Sequence, residues 1–98
     1  MPADIYTLVA EKRSEILAVA ERHGATNVRV FGSVARREAR PDSDLDLLVT
    51  FGPSASLLDL IGLEQELADL LGVPVEVASD RGLKDRIRAT VMQEAAPL

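Results

Sequence analysis

The stretch DSDLDLLVT, residues 42–50, restricts what this chain can fold into more than any other segment. Leu45, Leu47, Leu48 and Val49 make its second half a largely buried strand. Its first half places Asp42, Asp44 and Asp46 within five residues. Strand alternation sets Asp44 and Asp46 on the same face. Like charges that close repel, and partial burial shifts their pKa values or demands a counter-charge.

The flanking sequence predicts the elements around that strand. Asp4 caps a helix running to about Arg22, with Ile5, Leu8, Val9, Ile16, Leu17 and Ala20 as its stripe; Lys12-Arg13-Ser14 weakens the stripe and marks a candidate break. His23-Gly24 ends it, the histidine suiting the helix dipole. A first strand, Asn27 to Phe31, stops at Gly32, and Gly32-Ser33 opens a helical turn to about Glu38 before the loop ARPDS. The second strand, LDLLVT, closes at Phe51-Gly52-Pro53. Ser56 and Asp59 form a capping box for an apolar helix ending at Gly72. VPVEVAS is a third strand, and Ser79 or Asp80 caps a last helix carrying Leu83, Ile87 and Val91. Met92 and Leu98 read as core or interface. The fold class is α/β (α+β): a small mixed sheet of about three strands covered by helices, in the order α-β-α-β-α-β-α. At 98 residues, positions 1–98 make one domain.

Composition narrows the function. The net charge of −5 argues against a nucleic-acid partner, whose backbone is gripped through many Lys and Arg contacts. One Tyr, two Phe and no Trp are too few for a base-stacking platform. The absence of cysteine excludes disulfides and thiolate zinc sites. No apolar run is long enough for a membrane span and there is no signal-peptide pattern, so a cytoplasmic location is the expectation. Basic residues gather instead in two places: Arg29, Arg36, Arg37 and Arg40 around the Gly-Ser, and Arg81, Lys84, Arg86 and Arg88 near the C-terminus. Such clusters fit a small anion better than a polymer.

Gly-Ser between a strand and a helix presents backbone N–H groups, a hydroxyl and a helix N-terminus to an anion, and Gly32 lets a phosphate approach closely. Taken alone, it is an ordinary turn with an N-cap. Asp44 and Asp46 on one strand face are hard oxygen ligands suited to Mg²⁺, which completes its shell with water and phosphate. Taken alone, they are a solvated strand end. Glu76, in the middle of VPVEV, points at the same place if the third strand lies beside the second. Gly-Ser and Asp-x-Asp separated by ten residues arise together by chance on the order of once in a thousand chains this long. The combination therefore carries more than its parts.

That pattern, GS-VARREARPDS-DLD, resembles the DNA polymerase β-type nucleotidyltransferase superfamily and, within it, the minimal nucleotidyltransferases, over essentially the whole chain. The resemblance implies the nucleotidyltransferase fold, with Gly32 and Ser33 on the β- and γ-phosphates of a nucleoside triphosphate and Arg36 near the triphosphate. Asp44 and Asp46 would ligate two Mg²⁺ ions, and Glu76 would take the place of the third carboxylate. Family members commonly carry Gly where this chain has Arg37 and Asp where it has Glu76. Many minimal nucleotidyltransferases are antitoxins of HEPN-family ribonuclease toxins, and some attach AMP to a toxin tyrosine. The resemblance thus implies an ATP- and Mg²⁺-dependent protein adenylyltransferase acting as antitoxin, the partner supplying the hydroxyl. Two alternatives stand beside it: neutralisation by binding alone with a vestigial site, and a catalytic subunit modifying a small molecule.

Overall fold

A computed structural model describes residues 4–40 and 42–98; Pro41, in the ARPDS loop, and residues 1–3 lie outside the described part. The predicted N-terminal helix is two helices. The first, α1 (Ile5–Glu11), is capped by Asp4 Oδ1, which accepts from the Thr7 N–H at 2.8 Å. Lys12, with φ −97° and ψ 7°, ends α1 and begins α2 (Arg13–Arg22), so the break falls in the polar stretch that weakens the apolar stripe. Strand β1 (Ala25–Phe31) starts two residues earlier than its sequence suggests. It carries a register shift between Thr26 and Arg29, where Asn27 sits at φ 52°. Asn tolerates that left-handed conformation better than most residues, and the extra residue bends the strand.

The short helix α3 (Gly32–Ala35) follows directly, then β2 (Leu45–Phe51), α4 (Leu57–Leu71) and β3 (Val75–Ser79). The C-terminal segment departs from expectation. The Ser79 side chain accepts from the Gly82 N–H and caps a single 3₁₀ turn, Asp80–Gly82, rather than a helix. The last helix, α5 (Asp85–Glu94), begins beyond Leu83 and buries only Val91; Ile87 and Met92 are exposed. A fourth strand, β4 (Ala96–Pro97), has no counterpart in the sequence reading. Two residues carry no periodicity to read, and the proline is tolerated because β4 is an edge.

The sheet order is β3-β2-β1-β4, with β2 and β3 parallel and the other pairs antiparallel. Helices α2 and α4 cover one face. Ile16, Val19 and Ala20 from α2 and Leu63, Leu67 and Leu71 from α4 meet Val28, Val30, Leu45, Leu47, Val49 and Val77 in one cluster. His23, at the end of α2, bonds Glu66 of α4 through Nε2 at 2.8 Å, and Arg22 pairs with the same carboxylate. The free edge of β3 is blunted by Glu64, whose Oε2 accepts from the Val77 N–H at 2.7 Å. Leu48 alternates with Leu47 and Val49 and so faces the other way; fully buried, it stands outside that cluster, as does Val91 of α5. Asp46 and Thr50 share that second face.

Candidate active site

The strand alternation that buries Leu45, Leu47 and Val49 leaves Asp46 on the opposite face, half-buried. Its register neighbours are Phe31 on β1 and Glu76 on β3. Parallel neighbours in register project to the same side, so Asp46 and Glu76 stand side by side. Asp44 lies just before β2 and is exposed, as is Glu76. Burial, then the charges of Glu76 and Asp44 and a carboxyl–carboxyl hydrogen bond with Glu76, push the Asp46 carboxyl up to about 6; Arg36 draws it partly back. The acids at this strand end are therefore one electrostatic unit.

Gly32 joins that unit through β1. Because Phe31 pairs with Asp46, the residue after Phe31 turns across the end of β2. Gly32 has φ 73°, and a Cβ there would run into the Asp46 carboxylate. Both the left-handed backbone and the close approach require glycine. Ser33 follows in the first turn of α3, and Arg36 ends it, its N–H returning to the Gly32 carbonyl at 3.1 Å. Arg37 adopts φ 60°, a left-handed conformation in which a glycine would be unstrained. Its guanidinium lies over the Tyr6 ring at 4.8 Å, and the Tyr6 hydroxyl accepts from the Ala39 N–H at 3.0 Å, so α1 holds the loop in that strained shape.

The structure brings Gly32, Ser33, Arg36, Asp44, Asp46 and Glu76 to one end of the sheet. It separates Arg29 from them. That side chain is nearly buried, donates through Nε to the Asn27 carbonyl at 3.2 Å, and lies 3.5 Å from Asp80, which also accepts from Thr50 Oγ1 at 2.6 Å. Arg29 is thus a fixed strut of the second face, not part of an anion cluster. The residue that sequence reasoning missed is Glu94. Its Oε2 accepts from the Gly32 N–H at 3.1 Å and its Oε1 from Arg36 Nη1 at 2.8 Å. Arg36 holds the Glu94 carboxyl below the usual carboxylate range, helped by the Gly32 N–H. Glu94 lies 62 positions from Gly32, and no local pattern could have signalled the contact.

Among the described residues, no three carboxylates or imidazoles converge tightly enough to make a preformed cation cage. The donor set still fits a hard divalent ion in kind. It is all oxygen, and the raised Asp46 carboxyl records charge left uncompensated. A cavity of about 310 Å³, lined by Tyr6, Val9, Arg13, Val34 and Arg37 among others, lies behind the loop rather than over Asp46.

A family model described as a nucleotidyltransferase domain matches residues 13–96. The protein adenylyltransferase MntA of Thermococcus cleftensis is 46% identical over 74 residues, 76% of this chain and 75% of its own. A candidate protein adenylyltransferase of Methanocaldococcus jannaschii is 36% identical over 87 residues, 89% of this chain and 94% of its own. A solved structure of a candidate minimal nucleotidyltransferase superposes with a TM-score of 0.85 at 54% identity, covering 98% of this chain and 97% of that one. The toxin–antitoxin complex MntA–HepT contains a chain of the same fold, with a TM-score of 0.68 at 17% identity over 88% of this chain and 68% of that one.

Proposed function

The chain belongs to the nucleotidyltransferase-domain family, and from that premise we propose that it transfers AMP from ATP to a hydroxyl, a tyrosine of a cognate HEPN-type toxin, and so acts as an antitoxin. The observation that carries the reading is the Asp46–Glu76 register pair set directly against Gly32. Acids for cations and a loop for phosphate then flank the same point.

In this reading the Gly32 N–H, the Ser33 hydroxyl and the Arg36 guanidinium hold the β- and γ-phosphates through charge-assisted hydrogen bonds. Asp44, Asp46 and Glu76 would hold two Mg²⁺. Bound there, such ions supply charge neutralisation for the triphosphate, activation of the attacking oxygen and stabilisation of the departing pyrophosphate. Glu76, exposed at the edge of the unit, faces the side from which an acceptor arrives. In this reading the acceptor hydroxyl comes from another molecule docked over the site. The exposed Arg36, Arg37 and Arg40 form its rim, where charge steers association. The named activity of the Thermococcus and Methanocaldococcus relatives supports this reading.

Incubation with ATP, Mg²⁺ and the partner toxin is expected to add the mass of one or more AMP units to the toxin, read by intact-mass spectrometry. Tyrosine is then identified by peptide fragmentation, and Asp46→Asn abolishes the addition. Neutralisation of the toxin without any mass change at excess ATP would replace this reading with neutralisation by binding alone.

A further inference from the structure

Two anion-seeking groups of the loop are already occupied. Gly32 has one backbone N–H, and it points at Glu94 Oε2 at 3.1 Å. Arg36 commits Nη1 to Glu94 Oε1 at 2.8 Å and Nε to Glu38 Oε2 at 3.1 Å. One carboxylate thus spans two of the three donors assigned above to the triphosphate, using a separate oxygen for each. A carboxylate and a phosphate are the same kind of partner here, anionic and acceptor-only. Because a single N–H serves one strong acceptor, Glu94 and a phosphate oxygen cannot both hold it.

The placement of Glu94 is built into the fold. Its side chain is only 21% exposed, and it ends α5, with Ala95 alone between it and β4. Strand β4 is clamped to β1 through the pairs Val30–Ala96 and Arg29–Pro97, and the Leu98 carbonyl accepts from Arg13 Nε at 2.7 Å. The C-terminal segment therefore delivers the carboxylate to the loop.

We infer that Glu94 is a resident stand-in for the triphosphate: it holds the Gly32–Arg36 loop in its binding shape, and ATP binds by taking both donors from it. This rests on the nucleotide-site reading above. Glu94 is a positioning residue in this scheme, since it orders the loop and departs from it without touching the reacting atoms. Its negative charge also lowers triphosphate affinity, whereas a ligand without β- and γ-phosphates does not compete with it.

Calorimetry of the full chain with ATP and with adenosine, both in Mg²⁺ buffer, tests the exchange in the parent and in Glu94→Gln. Glutamine keeps the size and a carbonyl acceptor but loses the charge, so ATP is expected to bind roughly threefold or more tightly, with adenosine unchanged. In the unsubstituted protein, the Glu94 side-chain carboxyl ¹³C resonance should shift on saturation with ATP and stay in place with adenosine, which needs no variant to fold. ATP affinity equal to or weaker than the parent's in Glu94→Gln, or a Glu94 resonance indifferent to ATP, would overturn the inference while leaving the nucleotide site standing. Failure of ATP to bind either protein would remove both.

Discussion

With its carboxyl pushed up to about 6 by burial, Glu76 and Asp44, Asp46 sits where folding itself costs charge. The folded state keeps a proton that the unfolded chain, at the ordinary value of 3.8, has already released. The stability carried by that proton is complete below the unfolded value and is lost as pH rises through about 6. Asp46→Asn removes the titration. In EDTA at neutral pH the variant should melt above the parent, and the gap should close as the pH falls toward 3.8. Because the side chain is only half-buried, solvent screening reduces the effect to about 1 kcal/mol, or roughly 4–8 °C for a domain this size. A variant melting at or below the parent at neutral pH would show that the acids do not strain the fold. Arg37 is the other residue whose behaviour sequence leaves open. Its φ of 60° is carried by a residue with a Cβ, and the Tyr6 ring offsets part of the strain.

Among the elements, α4 does most to hold the sheet in shape. Asp59 Oδ2 accepts from the Ser56 N–H at 2.7 Å at its start, and Gly72 at φ 70° ends it. Between these ends, Leu63 and Leu67 are buried completely or nearly so, and Glu64 reaches the open edge of β3. The position of β3, and with it the register of Glu76 against Asp46, depends on this helix. Asp59→Ala should lower unfolding stability by about 1 kcal/mol, measured by urea denaturation with an unchanged slope. No shift in the midpoint would mean that the helix start is held by packing alone. Helix α5, in contrast, buries only Val91 and is fastened at its end by Glu94 and β4. Its apolar spacing suggested a packed stripe, but the 3₁₀ turn after β3 takes up Ser79 and shifts the helix start to Asp85.

At the scale of the whole molecule, the proposed function puts binding and turnover at different ends of the site. Gly32 and Arg36 lie on the loop, while Glu76 lies across Asp46 on β3. Glu76→Gln is expected to cut AMP transfer about a hundredfold or more while leaving Mg²⁺–ATP affinity nearly intact. Parent-like transfer by this variant in the toxin mass assay would show that Glu76 only faces solvent. The elements behind this proposal were partly legible in the sequence. The stretch 42–50 determined a buried strand with acids on one face, because strand alternation and desolvation are local consequences of residue order. Gly32 was legible as the end of the first strand and a point of close approach, since glycine carries no Cβ; its left-handed φ is the structure's addition. Capping did likewise for α4. Tertiary structure alone decided that β3 pairs in parallel with β2, so that Glu76 meets Asp46, and that Arg29 leaves the basic cluster for Asp80. It alone brought Glu94 to the Gly32–Arg36 loop. These contacts join residues 30, 51 and 62 positions apart, and such pairings are set by how the sheet and its covering helices close, which no local periodicity records.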